Sequence, residues 1–519
     1  MDSLQIKTDA SNKTLTHLNR RQWLIASIVA VGSTSLTSTS LADSKSFAAR
    51  SIETGKFRIR VVSEVSGEIR LKSQLNDAKA KNGKLIAAKT ASIKASSTLE
   101  YDEEFESSSS ILQCRTYQHF REATSEIQID RHVTKTLLRE QCRDIVRFGS
   151  DQGLITACPD NPLFAAERDL IECPINSMFI DQLLTDREVN IADKWTIENE
   201  VACRLLNVDA IQDGKLVMCL VDAEESKAQL ELNGTIAASV RQVPTTIVIE
   251  GKLLLDRTTG TISWFAVNMD ETREISEAEP GFHVSAQVKI LRSEIDAMVS
   301  GLTLNEVASR ITNQEATNLL QFQSDLGYYR FLANRKWSTY RDNGEEATLR
   351  YVVNDRVLCQ CNVTNMIDLE PGRQLSLEGF RSDVKAGLGS SLSEMVEGTE
   401  RLTSNKLRML RIVSRGSVQD VGILWIHYHL SNDSGRRAVL NFTLNESNME
   451  AFSEEDAQIA DSFELVNWPS KADEKTLDAA AQAANETEGK KGLVSQPKKT
   501  EQAPKTEQAE SKSRPKMAR

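Results

Sequence analysis

A chain of 519 residues, 40% hydrophobic and 26% charged, exceeds what one ordinary core supports and predicts about two to four domains. Its formal charge of -11 excludes the dense cationic surface that phosphate backbones require, so nucleic acid is not an expected partner. Beyond residue 42 no stretch is apolar over the ~20 residues a membrane-spanning helix needs.

Asn19-Arg20-Arg21-Gln22-Trp23-Leu24-Ile25 is followed by an apolar run to Gly32 and by small residues ending Ser40-Leu41-Ala42. A charged start, a short apolar core and small residues before Asp43 read as an export signal over residues 1–42, cleaved after Ala42. Arg20 and Arg21, followed by an aromatic residue and a leucine, resemble the twin-arginine signal of bacterial exported proteins. Asn19, Trp23 and Ile25 depart from its usual Ser/Thr, Phe and Lys. The resemblance implies a periplasmic or otherwise extracytoplasmic location. All eight cysteines follow the signal, and an even count in an oxidising compartment favours disulfides. The expected pairings are Cys158 with Cys173, across a Pro-containing loop, and Cys203 with Cys219, on neighbouring strands joined through Asp213-Gly214.

Residues 43–300 are predicted to form an antiparallel β domain. Phe57-Arg-Ile-Arg-Val-Val-Ser, Glu68-Ile-Arg-Leu-Lys, Ser125-Glu-Ile-Gln-Ile-Asp and the Thr134–Leu138 run alternate apolar and polar, the signature of a half-buried sheet. Between Pro162 and Leu184 the period lengthens, predicting a helical insertion broken at Pro174. Strands resume at Thr196–Val208, Lys215–Val221 and Ala228–Leu232, with a turn at Asn233-Gly234. Thr245–Leu255 and Thr261–Asn268 form a hairpin around Asp256-Arg-Thr-Thr-Gly260, and His283–Leu291 closes this half. The hairpin and its Asp-x-Thr-Gly loop are similar to those of uncharacterised exported domains of lipoprotein-carrier type. That resemblance implies a curved sheet able to hold an apolar, lipid-like ligand.

A connecting helix is expected over 301–326. From 327 to 468, strands, a helix from Leu375 to Leu388, a meander and a final helix from Glu454 to Ser462 read as an α/β layout. Leu349-Arg350-Tyr351, Gln360-Cys361-Asn362, Pro371-Gly372, Leu377-Glu378-Gly379-Phe380, Trp425 to Leu430, Gly435-Arg436-Arg437 and the stretch from Phe442 through Asp456 to Phe463 resemble the PsbP-like superfamily. The resemblance implies an α/β/α sandwich and an accessory or binding role without a shared catalytic centre. The expected class is therefore α+β. The tail, 469–519, loses its aromatics after Trp468, repeats Lys-Thr-Glu-Gln-Ala from Lys499 and Lys505, and is expected to be disordered.

One constellation has metal-ligand chemistry. Cys359/Cys361 and His427/His429 are same-face pairs on two predicted strands and could hold zinc or copper if those strands were adjacent. Strand alternation alone explains both pairs, so neither metal nor cofactor is expected. The acidic run Asp102 to Glu106 lacks calcium-loop spacing and reads as a solvated loop. There is no Gly-x-Ser-x-Gly elbow, His-Glu-x-x-His helix or phosphate-cradling loop. The expectation is an exported, non-enzymatic binding or scaffolding protein. The alternatives are a carrier of an apolar ligand and a hydrolase, and the partner, protein or apolar small molecule, is left open.

Overall fold

The computed structural model describes residues 53–71, 89–108, 110–150, 153–311, 317–324, 327–344 and 346–466. Arg20, Arg21, Ala42 and the tail expected at 469–519 lie outside the described residues. Period-two alternation dominates the chain, and the described residues are built accordingly: 58% strand and 16% helix. This corrects the α+β expectation and its C-terminal α/β/α sandwich, because antiparallel sheets carry the whole fold and the helices are short patches on them.

The first sheet has twelve strands: β1 (Thr54–Leu71), β2 (Lys89–Glu106), β3 (Arg115–Ile129), β4 (His132–Leu137), β5 (Asp144–Ser150), β6 (Gly153–Ala157), β7 (Lys194–Thr196), β8 (Ala210–Ala223), β9 (Lys227–Val240), β10 (Val243–Asp256), β11 (Thr261–Arg273) and β12 (Gly281–Glu294). Their order is β6-β5-β3-β2-β1-β12-β11-β10-β9-β8-β7, with β4 paired to β3. Alternation fixes which face is buried. In β10, Val243, Thr245, Ile247, Ile249, Leu253 and Leu255 point inward with Gly251 on the same side, while the alternate residues face outward.

Residues 158–193 leave the sheet at one edge, β6, and rejoin it at the other, β7. They contain α1 (Ala165–Ile171) and two single helical turns, and with α2 (Asn199–Leu206) they cover the inner face. Leu163, Leu170, Ile175, Phe179 and Leu183 share one apolar core with the inward residues of the strands. The opposite face is covered near β3 and β5, where Met298, Leu304 and Val307, around α3 (Leu304–Ala308), pack on Tyr117 and Val146.

Several local expectations change. Phe57–Ser63 and Glu68–Leu71 belong to one long strand, β1, which runs through Gly67. Thr196–Val208 is mostly α2 rather than a strand. Asn233-Gly234 lies inside β9; the turn falls at Arg241-Gln242, both left-handed at φ 52° and 66°. Gly234 is required in mid-strand by a close approach, since a Cβ there would lie 2.2 Å from the Lys215 carbonyl oxygen. Within the helix expected over 301–326, the described residues form α3 and no single long helix, and Leu319, Leu320 and Phe322 enter a strand.

That strand, β13 (Leu319–Ser324), joins β14 (Tyr329–Asn334) and the terminal β22 (Glu464–Leu465). The seven-stranded sheet comprises β15 (Trp337–Asp342), β16 (Glu346–Val353), β17 (Arg356–Asn365), β18 (Leu392–Leu402), β19 (Arg408–Val418), β20 (Val421–Ser431) and β21 (Arg437–Asn445), ordered β15-β16-β17-β21-β20-β19-β18. On one face α4 (Leu377–Leu388) sets Phe380 and Val384 on Leu410 and Ile412. On the other, α5 (Met449–Phe452) and α6 (Glu455–Ser462) bury Phe452 and Ile459 against Tyr428 and Phe442.

Replacing Gly234 by Ala is expected to destabilise the protein by about 1–3 kcal/mol, because backbone oxygen cannot yield as a side chain can. The loss would be read from the midpoint of urea unfolding.

Candidate functional site

The acidic run read as a solvated loop is the end of β2, and its carboxylates are spent on docking. Alternation sends Asp102 and Glu104 outward and Glu103 inward. Asp102 accepts from Arg58 Nε at 2.8 Å and from the Val299 N–H at 3.0 Å; Glu104 accepts from the Leu304 N–H at 2.8 Å. Burial alone would raise the Asp102 pKa, but Arg58 and the Val299 N–H bring it below the usual range.

Inward, the same strand opens a buried polar seam beneath the crossing segment. Glu103 Oε1 accepts from Gln118 Nε2 at 2.7 Å and from Ser177 Oγ at 2.8 Å, and Tyr101 Oη donates to Ser177 Oγ at 3.1 Å. Arg147 Nη2 on β5 donates to the Ile171 carbonyl at 2.7 Å. On β12, Arg292 makes a two-pronged contact with Asp181, 2.9 Å to Oδ1 and 2.8 Å to Oδ2, while Asp181 also accepts the Ile262 N–H at 3.0 Å. The Arg292 and Asp181 side chains are only 1% and 2% exposed. Burial raises the Glu103 pKa against the opposing bonds from Gln118 and Ser177. The seam holds a serine, a tyrosine and a carboxylate, yet no histidine joins its contacts and it is packed within the core. It works as a fastening.

A cleft opens beside α2, where Glu172, Leu206, Asn207, Met269, Glu271 and Arg273 meet. Its interior is ≈ 50 Å³, far below the roughly 300–1,000 Å³ of small-molecule sites. Arg273, 2% exposed, lies 2.9 Å from Glu271, and burial holds Glu271 above its ordinary pKa despite that arginine. This pair lends the cleft polarity without room for a lipid tail.

The four side chains with metal-ligand chemistry, from which no site is expected, do not converge. Cys359 and Cys361 on β17 share the core of Tyr428 and Phe442. His427 and His429 on β20 point to the opposite face, where the His429 ring lies 5.6 Å from Phe380 and His427 Nδ1 is 2.7 Å from Asn441 Oδ1. Strand β21 separates the two strands as well. Burial lowers both histidines, His429 to about 4 with help from Arg437 and Arg408. Among the described residues no group of three or more His, Cys, Asp or Glu side chains is arranged to hold a metal ion.

All eight cysteines are free thiols. Cys203 packs towards the inner core from α2, whereas Cys219 faces outward between the inward Met218 and Leu220, so this expected pair is not brought together. Cys173 is buried at the end of α1, and Cys158 is hydrogen-bonded instead to Cys142. The sequence reading missed this neighbour. The β5–β6 hairpin, with Val146 opposite Ala157, brings the two chain segments that carry them together at its open end.

No family model matches the chain, and no curated protein matches it. Among solved structures, cyanobacterial PsbP of Synechocystis is 15% identical over 28% of this chain and 92% of its own, with a TM-score of 0.24. The Ran-binding protein Mog1p of Saccharomyces cerevisiae is 9% identical over 29% of this chain and 96% of its own, at 0.23. The translocator domain of the autotransporter NalP from Neisseria meningitidis is 5% identical over 75% of this chain and 86% of its own, at 0.10. The PsbP-like likeness thus spans little more than a quarter of the chain, and values this low assign neither family nor ligand.

Asp181→Asn strands a buried guanidinium and is expected to cost about 3–5 kcal/mol in equilibrium unfolding. Glu103→Gln keeps an acceptor but cannot ionise. Because the folded pKa of Glu103 is raised, its stabilising contribution is full below the ordinary Glu pKa of about 4.3 and is lost as pH rises through the folded value. The stability of Glu103→Gln relative to wild type should therefore improve from about pH 4 to pH 7; a constant difference across that window would contradict the assignment.

Proposed function

We propose that the protein is an exported, non-catalytic binding or scaffolding protein of the bacterial cell envelope. The observation that carries this reading is where the reactive side chains go. Ser177, Tyr101 and Glu103 fasten the crossing segment, His427, His429, Cys359 and Cys361 are core residues, and the cleft at Arg273 is too small for a lipid. Arg20, Arg21 and Ala42 support export.

Binding would use the outward side of the first sheet. Leu254 on β10 lies opposite Trp264 on β11, and Trp264 lies opposite Leu291 on β12, with Arg60 next in line on β1. Leu291 is 53% exposed. An aromatic and two aliphatic residues flanked by a guanidinium form the kind of patch that anchors protein contacts. Among the described residues no helix is long and apolar enough to cross a membrane.

The test uses the full chain in a bacterial host, with a photoreactive amino acid in place of Trp264 or, as control, Glu68. The expected outcome is an extracytoplasmic protein beginning at Asp43, with a discrete cross-linked adduct at position 264 and none at 68. A cytoplasmic protein with intact Met1, or equal adducts at both positions, would refute the proposal.

A further inference from the structure

Cys142 and Cys158 meet at the open end of the β5–β6 hairpin. Cys142 is fully buried, and Cys158 is half-buried. Beyond their mutual hydrogen bond, Cys158 Sγ lies 3.6 Å from the Gln141 carbonyl, which also accepts from Asn161 Nδ2 at 3.2 Å. The hairpin register, with Val146 opposite Ala157, holds the two chain segments together just before the cysteines. Neighbouring thiols on two segments already fixed by a strand pair need little backbone movement to be bridged.

The surroundings give the bridge a purpose. Residues 156–164 are one of the segments through which the first sheet touches the second half of the chain, the loop after β11 being another, where Asp355 accepts the Glu277 and Ala278 N–H groups. The Thr156 carbonyl accepts from Arg335, the Leu163 carbonyl accepts the Gln321 N–H at 2.9 Å, and Phe164 bridges to Gln321. Arg139 ties the same segment to its neighbours, donating to the Pro162 carbonyl at 2.8 Å and to Glu167 at 2.7 Å while lying over the Phe164 ring.

We propose that Cys142 and Cys158 are a dithiol that closes to a disulfide and clips this junction segment to the edge of the first sheet. The hydrogen bond from Cys142 holds the Cys158 thiol below its usual pKa, and the same bond together with burial pushes Cys142 up. Cys158 is thus the attacking thiolate. With a small-molecule disulfide as oxidant, Cys158 sulfur attacks one sulfur of that disulfide and expels the other half as a thiolate. Cys142 then loses its proton, attacks Cys158 sulfur and expels the second half. Two protein thiols are oxidised by two electrons, one disulfide is reduced to two thiols, and the two protein protons end on the released thiolates. The inference goes beyond the proposed function and does not rest on the protein's location.

The experiment equilibrates the full-length reduced protein with oxidised glutathione, blocks remaining thiols with an alkylating agent and maps the peptides by mass. The expected result is one linked pair, Cys142 with Cys158, with both sites losing alkylation together. In Cys142→Ser, glutathione should remain on Cys158. Hydrogen exchange on wild type provides a readout free of mutation: amides between Thr156 and Phe164 should exchange about tenfold more slowly in the oxidised protein. Pairing of Cys158 with Cys173, persistent glutathione on Cys158 in wild type, or unchanged alkylation of both thiols would overturn the proposal.

Discussion

The pair formed by Arg292 and Asp181 is the fastening on which the architecture of the first half depends. Arg292 sits on β12, the central strand in the order of the sheet, and Asp181 sits midway along a segment that leaves one edge of that sheet and rejoins the other. The segment crosses strand by strand: Ile171 is held from β5, Ser177 from β2, and Asp181 from β12 and β11, before Trp195 on β7 donates to the Leu183 carbonyl. Apolar packing beneath it supplies most of the burial, since hydrophobic attraction scales with area and lacks direction. A guanidinium that finds both carboxylate oxygens in only one position supplies direction. Such a pair adds little net stability against a well-packed apolar substitute, but it penalises every displaced docking.

Much of this fold is legible in the alternation of apolar residues. Thr245–Leu255 and its partner strand, the meander from Arg408 to Leu444 and the helices near 375–388 and 454–462 all lie where periodicity places them. What misleads is turn chemistry. Asn233-Gly234 has the composition of a turn but fills a strand where the neighbouring backbone leaves no space for a Cβ, whereas Arg241-Gln242 turns without any glycine. The register that decides the matter belongs to the flanking strands β8 and β10, whose pairing with β9 is not contained in the two residues themselves.

The polar seam was hidden for a related reason. Asp102 to Glu106 looks solvated because four of its five residues are acidic, and composition outweighs alternation in a reading by window. The strand alternation of Phe57, Ile59 and Val61 would have placed Glu103 on the buried side only once β1 and β2 were known to pair, and Glu103 does lie opposite Phe57. The cysteines and histidines show the converse. Their i, i+2 spacing correctly puts each pair on one face, but which face each takes depends on the order β17-β21-β20, which spacing within a strand does not contain.

The crossing segment also settles a problem that large antiparallel sheets face. An unpaired edge invites another strand, and besides β4 beside β3 this sheet has one at each end of its order. Both end strands are short, β6 with five residues and β7 with three, and both lead directly into the segment that covers the inner face. Edge protection and core coverage are thus performed by one stretch of chain. With the inner face filled, the outward face between β1 and β10 is, among the described residues, the broad regular surface of this sheet, and Leu254, Trp264 and Leu291 lie in a row across it. Any partner of the first sheet would therefore meet side chains standing on strands whose register the buried face has already fixed.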